Sequence, residues 1–206
     1  MSTWAIIPVK NLRESKRRLA PLLSPDERAQ LICGFLEHLL DILENTAEVD
    51  HILVVTADPT VTALAREHGL SVLVEAISSG LNAAVHHGTD MATAEGAAAV
   101  LILPVDLPFA RVEDIIQMIA PLADAVRPVM AICGDEIEDG TNALLLVPPG
   151  NFTFRYGPGS FQAHLAEARA SGRAIRVIPA PGLRFDLDTE SDWLVYHGYL
   201  VQVADE

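Results

Sequence analysis

The segment His51–Val74, HILVVTADPTVTALAREHGLSVLV, decides the fold. Its opening run, His51–Thr56, is apolar and rich in β-branched residues, the pattern of a buried strand. Asp58-Pro59 then supplies an N-cap and a first-turn proline, which open a helix. Gly69 closes that helix as its C′ residue, where a left-handed backbone is needed. Ser71–Val74 returns to the strand pattern. A strand, a helix and a second strand in so short a stretch imply two parallel strands joined by a crossover helix.

The same alternation runs through the rest of the chain. Strands are expected at Trp4–Val9, Ala99–Leu103, Val129–Cys133, Ala143–Val147 and Ile175–Ile178. Ser24-Pro25-Asp26-Glu27 reads as an N-cap, a first-turn proline and a capping-box glutamate. It starts a helix whose apolar face carries Leu31, Phe35, Leu39 and Leu43. Further helices are expected near Leu81–Met91, Val112–Leu122, Phe161–Ala170 and Glu190–Val201. The expected class is α/β: a doubly wound, mostly parallel sheet with helices on both faces. The close runs at 129–133 and 143–147 suit an antiparallel pair around the polar GDEIEDGTN. No repeat or Pro/Gly-rich linker divides the 206 residues, so a single domain spanning 1–206 is expected.

Half the residues are hydrophobic and 20% are charged, a composition that can bury a sizeable core. The longest apolar run, Ala97–Leu103, ends at Pro104 and is too short to span a bilayer. The N-terminus has no basic segment ahead of an apolar one, so it reads as a first strand and not as a signal peptide. Cys33 and Cys133 stand alone and read as small buried hydrophobes in a reducing, cytoplasmic setting. A net charge of −14 argues against nucleic acid or an anionic membrane as partner. Oligomeric state is not legible, and a homo-oligomer stays open.

The positive charge is concentrated. Lys10 and Lys16 are the only lysines, and with Arg13, Arg17 and Arg18 they put five of fourteen basic residues into VKNLRESKRRL. A solvated loop is the bland explanation. The position directly after the first strand favours a small polyanion, such as a triphosphate, because open parallel sheets bind ligands at the carboxyl ends of their strands.

Other polar groups fall at comparable places. Asp106 follows the run at 99–103 between Pro104 and Pro108, which restrict the backbone around it. It could equally cap the next helix. Asp186 and Asp188 precede a helix that Thr189 and Asp192 can cap. Mg²⁺ binds through one or two carboxylates together with substrate phosphates, and Asp106 with either Asp186 or Asp188 would serve. Asp139-Gly140-Thr141-Asn142 and Tyr156-Gly157-Pro158-Gly159-Ser160 offer a close backbone approach, hydroxyls and helix-terminal amides to an anion. A tight turn with a serine N-cap explains the second loop equally well. No P-loop, dinucleotide fingerprint, zinc-protease or nucleophile-elbow motif is present. His86 and His87 point different ways along a helix, and His164 and His197 read as packing residues.

Taken in order, IPVK…SKRRLAP, GLNAA, LPVDLP, GTNALLL, YGPGSFQAH and FDLDT resemble the 2-phospho-L-lactate guanylyltransferase family, which includes bacterial phosphoenolpyruvate guanylyltransferases. The resemblance runs from Ile7 to about Trp193. It implies a fold similar to nucleotide-diphospho-sugar transferases, and a role in making the deazaflavin coenzyme F-420. It also implies a reaction in which the phosphate of a three-carbon acid attacks the α-phosphorus of GTP and releases pyrophosphate. By position, Lys10, Lys16 and Arg18 would meet the nucleotide phosphates, with Lys16 and Asp106 at the chemistry. Gly80, Leu81 and Asn82 would lie along the guanosine. Asp106, and by analogy with related transferases Asp188, would hold Mg²⁺. Thr141, Gly157 and Ser160 would bind the acceptor. The chain departs from the family pattern at Arg17, at Tyr156 and in DTES, where a small residue, phenylalanine and DTPE are usual. Rival readings are a same-fold transferase using CTP and a sugar or polyol phosphate, and a non-catalytic nucleotide-binding regulator.

Overall fold

The computed structural model describes residues 2–77, 79–124 and 128–204. Strands β1 (Thr3–Val9), β2 (His51–Thr56), β3 (Ser71–Val74), β4 (Ala99–Ile102), β5 (Val129–Gly134), β6 (Thr141–Val147) and β7 (Ala174–Val177) form one sheet. Their order is β3-β2-β1-β4-β6-β5-β7. β6 runs antiparallel to β4 and β5, and the remaining pairings are parallel. The expected class and the antiparallel pair are both found.

The helices are α1 (Pro25–Glu44), α2 (Pro59–Glu67), α3 (Leu81–Ala94), α4 (Val112–Ile119), α5 (Pro121–Asp124), α6 (Ser160–Ala170) and α7 (Glu190–Ala204). The helix expected over 112–122 is two pieces, since Pro121 cannot continue the hydrogen-bond ladder of α4. α1 starts as its sequence signal says: Ser24 Oγ accepts from the Glu27 amide, and the Glu27 carboxylate accepts from the Ser24 amide. Its buried face is Ile32, Phe35, Leu36, Leu39, Leu40, Ile42 and Leu43, and Leu31 sits at the margin.

Alternation along β1 explains the two-sided core. Ala5, Ile7 and Val9 face α1, α2 and α4, while Trp4 and Ile6 face α3 and α6. α3 lies close against the sheet because Gly88 has no side chain. A Cβ there would sit 2.9 Å from both Ile6 and Val55. Cys133 is buried, Cys33 is half-buried, and both are free thiols. No helix among the described residues is long and apolar enough to cross a membrane.

Candidate active site

β1 and β4 end at the same sheet edge, and the reversed direction of β6 brings its first residues, Thr141 and Asn142, to that edge as well. The register Ile102↔Leu144 sets this.

The basic segment is not a free arm. Leu12 and Leu19 are fully buried beneath it. The Leu12 amide donates to Asp58 Oδ2 at 3.0 Å, so the residue that caps α2 also pins the loop. From α1, the buried Arg28 donates to the Ser15 carbonyl at 3.3 Å and the Leu23 carbonyl at 2.8 Å. Held at both ends, Lys16 adopts a left-handed backbone, φ 51°, uncommon outside glycine. Its side chain, 4% exposed, reaches across the cleft and donates to Asp106 Oδ2 and, at 2.6 Å, to Asp188 Oδ1.

The two carboxylate loops are tied together independently of that lysine. The Leu187 amide, between Asp186 and Asp188, donates to the Asp106 carbonyl at 3.1 Å. Asp192 Oδ2 accepts from the amides of Asp188 and Thr189 and from the Thr189 hydroxyl, at 2.7–3.0 Å. Thr189 and Asp192 therefore cap α7, as expected. Upstream, the buried Asp114 accepts from the amides of Arg111 and Gly182 at 3.0 and 3.1 Å. Asp106 caps no helix, because α4 begins only at Val112.

Burial opposes the charge of Lys16, yet Asp106 and Asp188 more than offset it and hold its pKa above the ordinary value. Burial likewise opposes ionisation of Asp188, but Lys16, then Arg18 and Lys10, bring its pKa below the usual carboxylate range. Asp186 behaves oppositely. Burial first, then the charges of Asp106 and Asp188, push it up to about 6. Asn142 donates to its Oδ1 at 3.2 Å.

Lys10, Lys16, Leu81, Asp106 and Asp188 line one cavity of about 160 Å³, together with Pro8 and Ser15. The expected basic cluster divides, however. Arg13 lines a different cavity beside Asp58 and Cys33, and the exposed Arg17 lies 3.8 Å from Glu14. A turn after Lys16 (Arg17–Leu19) buries Leu19 and sends Arg17 outward. Among the described residues, no group of three or more His, Cys, Asp or Glu forms a ready-made metal cage. Two hard-oxygen carboxylates meeting on one cation suit an ion that completes its shell with phosphates and water.

The second half of the site is a hydrogen-bonded cluster. Ser160 is the first residue of α6, not its N-cap. Gly159 takes the cap position at φ 71°, and the Ser160 hydroxyl donates to Thr141 Oγ1 at 3.2 Å. His164 Nδ1 lies 3.0 Å from the same oxygen, and its Nε2 accepts from the Arg155 amide at 2.9 Å. Gly157 turns the loop at φ 132°. Gly80 (φ 88°) opens α3. Asn82 uses its amide on the 156–160 loop: Oδ1 accepts from the Tyr156 amide at 2.7 Å, and Nδ2 donates to the Tyr156 carbonyl at 3.1 Å. Asn142 was expected as part of the 139–142 loop, whereas Asp58, Arg28 and His164 escaped the sequence reading as parts of the site. Only Asp58 carried a local signal, and that signal announced a helix cap.

The chain resembles known proteins over nearly its whole length. A family model described as guanylyl transferase CofC like matches residues 3–201. A phosphoenolpyruvate guanylyltransferase of Rubrobacter xylanophilus is 41% identical over 93% of this chain and 92% of its own length. The 2-phospho-L-lactate guanylyltransferase of Methanothermobacter thermautotrophicus is 33% identical over 96% of this chain and 86% of its own. Among solved structures, a nucleotidyl transferase from the same archaeon superposes with a TM-score of 0.69 at 17% identity, covering 98% of this chain and 99% of that one. The fold, the charged cleft and these likenesses agree, and the chain belongs to the CofC-like guanylyltransferase family of nucleotidyltransferases.

Proposed function

We propose that the cleft binds GTP and transfers GMP to the phosphate of a three-carbon acid, phosphoenolpyruvate or 2-phospho-L-lactate, with release of pyrophosphate. The observation that carries this is the meeting of Lys16, Asp106 and Asp188 in one cavity that Lys10 and Leu81 also line. A strongly acidic protein has placed both of its lysines there. Either acceptor makes this a step of coenzyme F-420 biosynthesis, and the cytoplasm is the setting that its free thiols suit.

The acceptor phosphate is already an anion, so no base is needed to make the nucleophile. The barrier lies in aligning two anions and stabilising charge on the α-phosphoryl group, which makes catalysis a matter of position and field. Asp106 and Asp188 would hold Mg²⁺, which supplies Lewis-acid neutralisation of the phosphate oxygens when bound. Lys16, whose Nζ sits between the two carboxylates, would supply positive charge to the triphosphate beside them. Lys10, which lines the cavity, and the exposed Arg18, whose charge acts on Asp188, would neutralise the departing pyrophosphate. The amides at Gly80 and Leu81 border the nucleoside, while Thr141, Gly157 and Ser160 receive the acceptor. Asn82 locks the nucleoside side to the acceptor loop.

The test is incubation of the protein and Mg²⁺ with GTP and each phospho-acid in turn, and with CTP, UTP and ATP as alternative donors. Pyrophosphate release with identification of the coupled product by mass reports the outcome. Turnover with CTP and a polyol phosphate, but not with GTP, would replace this reading with its same-fold rival.

A further inference from the structure

His164 is completely buried, yet it is not a passive packing residue. Its Nε2 faces the Arg155 amide, a group that can only donate, at 2.9 Å. A neutral imidazole whose Nε2 accepts must carry its proton on Nδ1. Nδ1 faces Thr141 Oγ1 at 3.0 Å, so that oxygen accepts from the ring. It also accepts from Ser160 at 3.2 Å. With both lone pairs of the Thr141 hydroxyl taken, its own hydrogen is left to donate to a ligand. Two incoming donors also polarise the hydroxyl and make it a stronger donor.

We propose that His164 is a positioning residue for the acceptor, its Nδ1–H tautomer fixing the Thr141 hydroxyl as a hydrogen-bond donor to the phospho-acid. This rests on the reading of Thr141, Gly157 and Ser160 as the acceptor site. The ring is suited to the role because burial, and then the charge of Arg155, lower its pKa to about 4 and keep it neutral. Protonation would set an N–H against the Arg155 N–H and break the arrangement.

Steady-state rates with phosphoenolpyruvate and GTP varied separately test the idea in the whole chain. His164→Asn keeps an N–H near the Nδ1 position, whereas His164→Gln keeps an acceptor near the Nε2 position. Loss of the donor should raise the KM for phosphoenolpyruvate about tenfold in His164→Leu and His164→Gln, with His164→Asn within about threefold of the parent. The KM for GTP should stay within about twofold throughout. In a Thr141→Val background the His164 substitutions should add nothing to the acceptor KM. Rescue by Gln and not by Asn, or a parallel rise in both KM values, would overturn the proposal in favour of a purely structural loop anchor. Should His164→Leu fail to fold, the Asn and Gln pair decides the question by itself. A parent protein that releases pyrophosphate with no phospho-acid defeats the acceptor reading itself. An active parent with indifferent His164 variants defeats only this inference.

Discussion

Lys16 Nζ donates at once to Asp106 and Asp188, residues that lie 90 and 172 positions further along the chain. A lysine, a strand-end carboxylate and a helix-entry carboxylate thereby form one charged unit. The lysine offsets the cost of burying the two carboxylates, and they offset the cost of burying it.

Removing the cation exposes that balance. Lys16→Met leaves two adjacent carboxylates unpaired, and about 2 kcal/mol of stability should be lost in metal-free buffer, the half-exposed Asp188 moderating the penalty. Lys16 has a raised pKa, so its contribution is complete below its ordinary value and lost as the solution becomes strongly alkaline. Asp188 has a lowered pKa, so its contribution is present above the ordinary carboxylate range and lost on acidification. The gap between parent and variant should therefore be widest from about pH 5 to 10, and narrow on either side. Melting curves across pH measure this, and added Mg²⁺ should restore the variant more than the parent. A gap independent of pH would contradict the ion-pair account.

The split of the basic segment is testable with GTP. Lys10→Ala and Arg18→Ala should raise the KM for GTP roughly tenfold through lost phosphate contacts. Arg13→Ala and Arg17→Ala should leave it within about twofold, since surface charges away from the site matter little. Equal effects at all four positions would mean the whole loop acts as one field.

Asp106→Asn and Asp188→Asn should each lower kcat about a hundredfold or more, the scale of losing a group that stabilises transition-state charge. Circular dichroism should show the fold intact. Near-normal pyrophosphate release by either would remove that residue from the proposed metal site.

Asp186→Asn should behave differently in melting experiments. Its carboxyl is pushed up to about 6, so the stability this group contributes in its protonated form is lost as pH rises through that value. An amide that still accepts from Asn142 never ionises. The variant should therefore melt higher than the parent at pH 8 and coincide with it near pH 4, to within a degree or so. A lower melting point at pH 8 would show that the ionised carboxylate is stabilising.

The Tyr156 hydroxyl is buried without a partner among the described residues. Tyr156→Phe should keep stability or raise it by up to about 1 kcal/mol, because an unsatisfied buried hydroxyl is removed. A clear drop, read by denaturant midpoint, would reveal a partner for that oxygen.

Gly88 and Gly182 separate packing from function. Gly88→Ala would push α3 off Ile6 and Val55 and should cost about 1–3 kcal/mol with little change in kcat. Gly182→Ala would collide with the Phe109 carbonyl and with the Asp114 carboxylate, which accepts from the Gly182 amide and ties down the loop ahead of Asp186 and Asp188. It should lower kcat as well as stability.

Much of this molecule is written locally. The capping boxes at Ser24 and Thr189, the Asp58-Pro59 opening and the glycine after α2 mark helix ends because caps and turns depend on a few neighbouring residues. The strands were legible from their β-branched runs, and Asp106 from its place between two prolines. The separation of Arg13 and Arg17 from Lys16 was not, because it depends on where Leu12 and Leu19 are buried.

By itself, then, the sequence determined the α/β class, the element order, the family and the set of chemical groups available. Only the tertiary structure decided which groups meet. Antiparallel β6 brings Thr141 and Asn142 to the edge where β1 and β4 end, and a lysine arm crosses to two distant aspartates. His164 turns out to be hydrogen-bonded into the Thr141–Ser160 cluster instead of merely packed. Such contacts join residues far apart in sequence, and sheet order and burial fix them. Local propensity is silent on both.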